Sequence, residues 1–82
     1  MNKEAIIQLI TEQDLEEGIF EAKVVNGKLH TCGFYIEHYK RHFKQEDMIQ
    51  INVQGFTFKV MIIAINQGNT SGIDYVRGIA KW

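Results

Sequence analysis

"MIQINVQGFTFKVMIIAI", residues 48–65, is the stretch of this chain that decides its fold. Gln54-Gly55 lies at its centre, between two runs in which apolar and polar residues alternate, which is typical of a tight hairpin turn. Pairing across that turn sets apolar residues opposite one another: Val53 with Phe56, Ile51 with Phe58 and Ile49 with Val60. The residues between them share the other face: Gln50, Asn52, Thr57 and Lys59. The pattern predicts a half-buried antiparallel hairpin over about residues 48–65.

A second reversal is predicted in "GIFEAKVVNGKLHTCGFYI", residues 18–36, where Asn26-Gly27 provides the turn. Asn-Gly suits a type I′ turn because both central residues need a positive φ. The predicted pairs are Val25 with Lys28, Val24 with Leu29, Ala22 with Thr31, and Phe20 with Gly33. One face then carries Val24, Leu29, Ala22 and Phe20, and the other carries Lys23, His30, Glu21 and Cys32. We expect a hairpin over about residues 19–36 with one face for the core and one mostly for water.

The N-terminal segment "NKEAIIQLITEQDLEE", residues 2–17, has apolar residues at helical spacing, namely Ala5, Ile6, Leu9 and Ile10. Asn2 suits an N-cap and Glu4 the first turn, so a helix is predicted over about residues 3–16. A last strand is predicted over about residues 73–81, with Ile73, Tyr75 and Ile79 at alternate positions. The expected fold is a single α+β domain, residues 1–82, in which this helix packs on a curled antiparallel sheet or small barrel of about five strands.

Composition favours an ordinary globular domain: 45% of the 82 residues are hydrophobic, 23% are charged, and the net charge is −1. No apolar run reaches the roughly 20 residues that cross a bilayer, and the N-terminus lacks the pattern of a secretory signal. The single Cys32 cannot form an internal disulfide, so a cytoplasmic location is expected. Charge is uneven, because residues 1–21 hold one Lys and six acidic residues, whereas residues 22–82 hold eight Lys and Arg and four acidic residues.

"IEHYKRHFKQED", residues 36–47, has the chain's highest density of ionisable and aromatic side chains. We predict a helix or helical turn here in preference to a strand. His38 and His42 are four residues apart, but the position after the first His, where an HExxH site needs Glu, holds Tyr39. We expect two exposed histidines and no metal or cofactor. Cys32 is expected to be a strand residue without a reactive thiolate, so no enzyme activity is predicted.

The same segment interleaves cations with aromatic rings, a pattern that also suits single-stranded RNA or DNA. The candidate binding residues, with Arg77 and Trp82 added from the C-terminal region, are His38, Tyr39, Lys40, Arg41, Phe43, Lys44, Arg77 and Trp82. A sequence pI of about 6.3 is low for a dedicated nucleic-acid binder. Nucleic-acid binding is therefore the alternative prediction, not the first one.

Three short pieces of the chain resemble the Sm-like RNA-binding family: the Asn26-Gly27 turn, Gly33, and the late Arg77-Gly78 step. Members of that family have a helix followed by five strands, so the resemblance implies a small barrel that binds RNA. The Asp and Asn positions of the family's RNA-contact loop have no counterpart in "FYIEHYKRHF", residues 34–43. For this reason the resemblance implies a type of fold and carries over no functional residue.

Apolar surface gives the first functional prediction. "VMIIAI", residues 60–65, is apolar on both faces, so Met61, Ile63 and Ile65 need cover from the N-terminal helix, from a second subunit or from another protein. The predicted function is a small non-catalytic protein-interaction or adaptor module that self-associates. It would make contact through a strand edge or through "EHYKRHF", with Tyr39, Arg41 and Phe43 as anchors. No membrane and no small-molecule substrate are expected.

Overall fold

The computed structural model describes residues 6–67 and 72–81, with the backbone alone at residues 6 and 16–20. Its elements are β1 (Ile6–Thr11), a 3-10 turn (Glu12–Asp14), β2 (Leu15–Val25), β3 (Lys28–Glu37), a 3-10 turn (His38–Lys40), β4 (Met48–Val53), β5 (Phe56–Gln67) and β6 (Ile73–Ala80). The strands form one sheet in the order β1-β4-β5-β6-β3-β2. β1 is parallel to β4, and every other pair is antiparallel.

The α+β prediction was wrong, because residues 6–11 form a strand and the described residues contain no helix of seven residues or more. Ile6, Ile7, Ile10 and Thr11 are β-branched and favour extended backbone. Ile10 pairs with Ile51 of β4 and is fully buried there, a contact between residues far apart in the chain. Asn2 and Glu4, the proposed helix start, lie outside the described residues. The helix-first order implied by the resemblance to the Sm-like family is likewise not observed.

The sheet must curl, because its two edge strands are consecutive in the chain. Thr11 ends β1 and Leu15 begins β2, and the two strands lie at opposite ends of the strand order. In a flat sheet five spacings would separate them by about 24 Å. The four residue-to-residue steps from Thr11 to Leu15 span at most about 14 Å. The short 3-10 turn between them therefore forces the sheet to close upon one face.

That inner face is the core. Its buried apolar residues come from five strands and one loop: Ile10, Cys32, Phe34, Ile36, Phe43, Ile49, Ile51, Val60, Ile62 and Val76. Gly78 of β6 lies on this face beside Val60, where a Cβ atom would overlap Val60 Cγ1 and stand 3.0 Å from the Met61 carbonyl oxygen. Glycine is required there because β5 and β6 approach too closely for any side chain.

The predicted hairpin at residues 48–65 is confirmed in register: Val53 pairs with Phe56, Ile51 with Phe58 and Ile49 with Val60. Gln54 and Gly55 both have positive φ, 53° and 84°, as a type I′ turn requires. Ile49, Ile51 and Val60 are fully buried, so the alternation identified the core face correctly.

The first hairpin follows the prediction only near its turn. Val25 pairs with Lys28 and Val24 with Leu29, but Lys23 then pairs with Thr31, so His30 is an extra residue in β3. This β-bulge shifts the pairs from Lys23 to Phe20 by one residue, so Ala22 lies opposite Cys32 instead of Thr31, and a second register shift follows between Phe20 and Leu15. Cys32 consequently enters the core, whereas the predicted register had placed it on the polar face.

β6 turns toward the core the face opposite to the one that the alternation of Ile73, Tyr75 and Ile79 suggests. Asp74, Val76 and Gly78 are buried, while Ile73, Tyr75 and Ile79 are only partly covered on the outer face. The register explains this, because Val76 pairs with Phe34, which is fully buried. No helix within the described part of the chain is long and apolar enough to cross a membrane.

Candidate functional site

The chemically dense segment forms a loop at one end of the sheet. Ile36 and Glu37 still belong to β3; a single 3-10 turn, His38–Lys40, follows, and the chain then runs without regular structure to β4. The helical interpretation of the segment holds for this one turn. We call residues 38–47 the anchored loop, because buried and backbone contacts fix it at several points.

The main fixing point is Asp74, a carboxylate that is only 2% exposed. Its Oδ2 atom accepts a hydrogen bond from Arg41 Nε at 2.7 Å and lies 2.8 Å from His38 Nδ1. Arg41 also donates through its Nη1 atom to the carbonyl oxygen of Phe43. The backbone N–H of His38 donates to the carbonyl oxygen of Gly72 at 2.6 Å. The loop is thereby tied to the start of β6.

The electrostatics of Asp74 fit this holding role. Burial alone would raise the pKa of its carboxyl, but the hydrogen bonds and charges of Arg41 and His38 more than compensate, so the pKa lies below its ordinary value. The carboxylate is therefore ionised at neutral pH and has a cationic partner. Paired in this way, a buried charge can be retained without a large penalty.

Gln8 of β1 fixes the far side of the same loop. Its Nε2 donates to the carbonyl oxygen of Lys40 at 2.6 Å, and its Oε1 accepts from the backbone N–H of His42 at 2.8 Å. One side chain thus satisfies two backbone groups of a segment that has no strand to pair with. β1 and the anchored loop form one unit.

The predicted binding residues of this loop have very different surroundings. Tyr39 is 71% exposed, whereas Phe43 is 3% exposed and packs in the core. Lys40 Nζ lies 3.6 Å from Glu37 Oε1, and Lys44 Nζ lies 3.4 Å from Asp47 Oδ1. Since Arg41 pairs with Asp74, each of the three cations of the loop has a carboxylate partner. Trp82 lies outside the described residues.

Arg77 is on the outer face of β6, away from the anchored loop. It lines an open cleft of about 370 Å³ with residues of β2, β3 and β6: Glu21, Ala22, Lys23, Thr31, Cys32, Gly33 and Tyr75. The Tyr75 hydroxyl lies over Gly33 and donates to Glu21 Oε1 at 3.4 Å. Burial, and then the charge of Glu21, raise the pKa of Tyr75. Its ring centroid is 4.8 Å from that of Tyr35.

Outside this loop, the pKa of Cys32 and the placement of the His, Cys, Asp and Glu side chains bear on catalysis and metal binding in the described residues. Burial raises the pKa of the Cys32 thiol to about 11, so the thiol is protonated at neutral pH. Its cross-strand neighbour in β2 is Ala22, and burial alone is the cause of the raised pKa. Residues 6–67 and 72–81 contain no group of three His, Cys, Asp or Glu side chains placed to hold a metal ion.

Sequence reasoning missed the most open surface. Residues 21–28, which we call the arm, are the outer part of the β2–β3 hairpin, and every one of them is exposed. Val24 is 59% and Val25 43% exposed, and Ala22 is exposed although it lies on the face that forms the core elsewhere. β2 is an edge strand, so in the described structure no strand pairs with its outward side. Local alternation gave no sign of this, because it does not show where the core ends.

Searches with known proteins found no match for this chain among protein-family models, curated proteins or solved structures.

Proposed function

We propose that this protein is a non-catalytic interaction module that binds an extended polypeptide strand along the outward edge of β2 and self-associates through it. The observation that carries the proposal is the arm: residues 21–25 are exposed on both faces and lie at an edge of the sheet. A cytoplasmic location belongs to the same proposal and is supported by the single cysteine, a buried thiol.

The physical basis is the unused hydrogen-bonding capacity of an edge strand. Alternate residues of β2 turn their N–H and C=O groups away from β3, and no strand of the described structure pairs with these groups. An added strand would satisfy them and would cover the half-exposed Val24 and Val25. Recognition by strand addition takes affinity from the main chain and specificity from the side chains that alternate along it.

The other edge strand is less suited to this role. Gln8 of β1 is engaged by the backbone of Lys40 and His42, so the anchored loop lies close to that strand. The β2 edge at residues 21–25 has no comparable contact with a loop in the described structure. The arm is therefore the edge that a partner strand can reach without displacing part of the protein.

Two groups support the non-catalytic part of the proposal. The Cys32 thiol, with a pKa of about 11, is a poor nucleophile at neutral pH. Asp74 is ionised, but it is buried and held by Arg41 and His38. A general base must reach a substrate proton, and a carboxylate that is 2% exposed is not placed to do so.

Binding of single-stranded RNA or DNA by residues 38–44 remains the alternative, and the ion pairs weigh against it. Lys40, Arg41 and Lys44 each have a carboxylate within 4.0 Å, so the loop presents little net positive charge. Its test is a labelled oligonucleotide with wild-type protein and with Lys40→Glu/Lys44→Glu. Arg41 is left unchanged because its replacement would release Asp74. Tight, salt-dependent binding that the double variant loses would favour the alternative.

The proposed function is tested by hydrogen exchange of the full chain at low and at high protein concentration. We expect the amides of residues 21–25 to become more protected at high concentration, because half of them gain partners when the edge is covered. The amides of β5 are the internal control, since that strand is already paired on both sides. Arm amides whose exchange does not change with concentration would contradict self-association through this edge.

A further inference from the structure

Resting on the proposed function, we infer that the strand bound by the arm is the arm of a second copy, paired antiparallel about a two-fold axis at Ala22. In this arrangement residue 21 of one copy lies opposite residue 23 of the other, and Val24 lies opposite position 20. The interface is isologous and closes after two copies, because each protomer offers the same edge. The two sheets would become one continuous sheet.

The charge pattern of the arm selects this register. Glu21 and Lys23 are two residues apart, so both point to the outer face, and both are exposed. Pairing centred on Ala22 places Glu21 of each copy directly opposite Lys23 of the other. The dimer thereby gains two cross-strand pairs of opposite charge, related by the two-fold axis. Lys23 has no carboxylate within ion-pair distance in the described part of one protomer.

The other registers centred in residues 21–25 lack this complementarity. Centring on Glu21 sets two carboxylates against each other, and centring on Lys23 sets two ammonium groups against each other. Centring on Val24 or Val25 opposes valines at the axis but leaves the charges without opposite partners. Lysines on edge strands commonly prevent sheets from joining. Here Glu21 lies two residues from Lys23, so the lysine is paired with a carboxylate only in the register centred on Ala22.

Ala22 suits the axis of such a dimer. It is exposed on the face opposite to Glu21 and Lys23. Because the alanine side chain is small, Ala22 of one protomer fits next to Ala22 of the other without crowding. Directly opposed residues of antiparallel strands have Cα atoms about 4.5–5.5 Å apart. Two cysteines at this position would therefore fall within the Cα separation of about 4.4–6.8 Å that a disulfide spans.

The test is a charge exchange followed by sedimentation velocity. Glu21→Lys opposes four ammonium groups in the homodimer, and Lys23→Glu opposes four carboxylates, so each variant alone should dimerise about tenfold more weakly. An equimolar mixture of the two variants should recover the wild-type affinity, because every pair in the heterodimer is again of opposite charge. The double variant Glu21→Lys/Lys23→Glu should recover it too. Lys59→Glu, an exposed change on β5, is the matched control and should have no effect.

A cross-link reports the register independently of charge. Ala22→Cys is made in a Cys32→Ala background, because Cys32 lies opposite Ala22 in the same chain and would compete for the new thiol. Mild oxidation should give a disulfide-linked dimer. Lys59→Cys in the same background should give none above the level of random collision.

The outcomes separate this inference from the proposed function. Single variants that dimerise as well as wild type, with no gain in the mixture, would overturn the Ala22 register. Concentration-dependent protection of residues 21–25 would then still uphold binding along the edge. A chain that is monomeric at all concentrations, with no such protection, would overturn both.

Discussion

The anchored loop and the arm differ in a way that their sequences conceal. The loop holds His38, Arg41 and several further charged residues, and His38, Lys40, Arg41 and Lys44 each have a carboxylate partner within the protein. The arm is a plain strand, "EAKVV", yet its outward backbone edge has no strand beside it in the described structure. A cluster of charged and aromatic residues in a sequence therefore indicates a stabilising network within the fold as readily as a binding site for a partner.

Burial explains the contrast. His38 and Arg41 of the loop contact a carboxylate inside the protein, so losing either contact takes a partner from a group that water barely reaches. The side chains of the arm are in water already, so changing them removes little from the folded state. Substitutions in the loop should therefore act on stability, and those in the arm on association.

The largest effect is expected for Asp74→Ala. It removes the buried carboxylate that Arg41 and His38 contact and should lower the free energy of unfolding by about 3 kcal/mol, since the largely buried Arg41 loses its partner. Urea denaturation measures the change. The matched control is Asp47→Ala, which removes the carboxylate that pairs with the exposed Lys44 and accepts from its backbone N–H. Equal losses in both variants would contradict a special role for Asp74.

A slightly smaller effect is expected for Gly78→Ala in the sheet. The new Cβ would meet Val60 and the Met61 carbonyl, neither of which can retreat within the core, so about 2 kcal/mol should be lost. Gly33→Ala is the control: its Cβ meets the end of the Tyr75 side chain, which can swing outward. Thermal unfolding of the two variants compares them. A larger loss for Gly33→Ala would show that the outer face is packed more rigidly than we infer.

The hairpins show what local sequence can predict here. At residues 48–65 the turn residues and the alternation agree, and the pairing is as predicted. At residues 19–36 the turn is right, but the bulge at His30 moves Cys32 into the core, and no residue type marks a classic bulge reliably. A one-residue slip exchanges the two faces of a strand, so the predicted facing was wrong for β3 from Thr31 onward, while Ala22 of β2 kept its predicted face.

The remaining failures concern contacts between distant parts of the chain. The pattern of Ile6, Leu9 and Ile10 is compatible with a helix, and only parallel pairing with β4 makes it a strand. Asp74 was not singled out because its partners, His38 and Arg41, lie 36 and 33 residues earlier. Neither feature has a local signal, since both depend on how the curled sheet closes.

Acid should weaken the loop before it affects the arm. Asp74 has a lower pKa in the folded protein than in the unfolded chain, so the unfolded chain takes up its proton first as the pH falls. The stabilisation is present above the ordinary carboxyl pKa of about 3.9 and is lost as the pH drops below it. Urea midpoints measured from neutral to acid pH should fall less steeply for Asp74→Asn than for wild type. Parallel curves would contradict this assignment.

The smallest effect on stability is expected for Val24→Thr in the arm. The side chain is 59% exposed, so the free energy of unfolding should change by less than about 0.5 kcal/mol when it is measured at a concentration where the protein is monomeric. Because the same residue lies on the edge that the partner copy covers, dimerisation should weaken measurably in sedimentation experiments. Leu29→Thr, at the buried position opposite Val24, should do the reverse and destabilise the monomer. If Val24→Thr instead unfolds the protein, the arm is part of the core, and its edge is not available to pair with a partner strand.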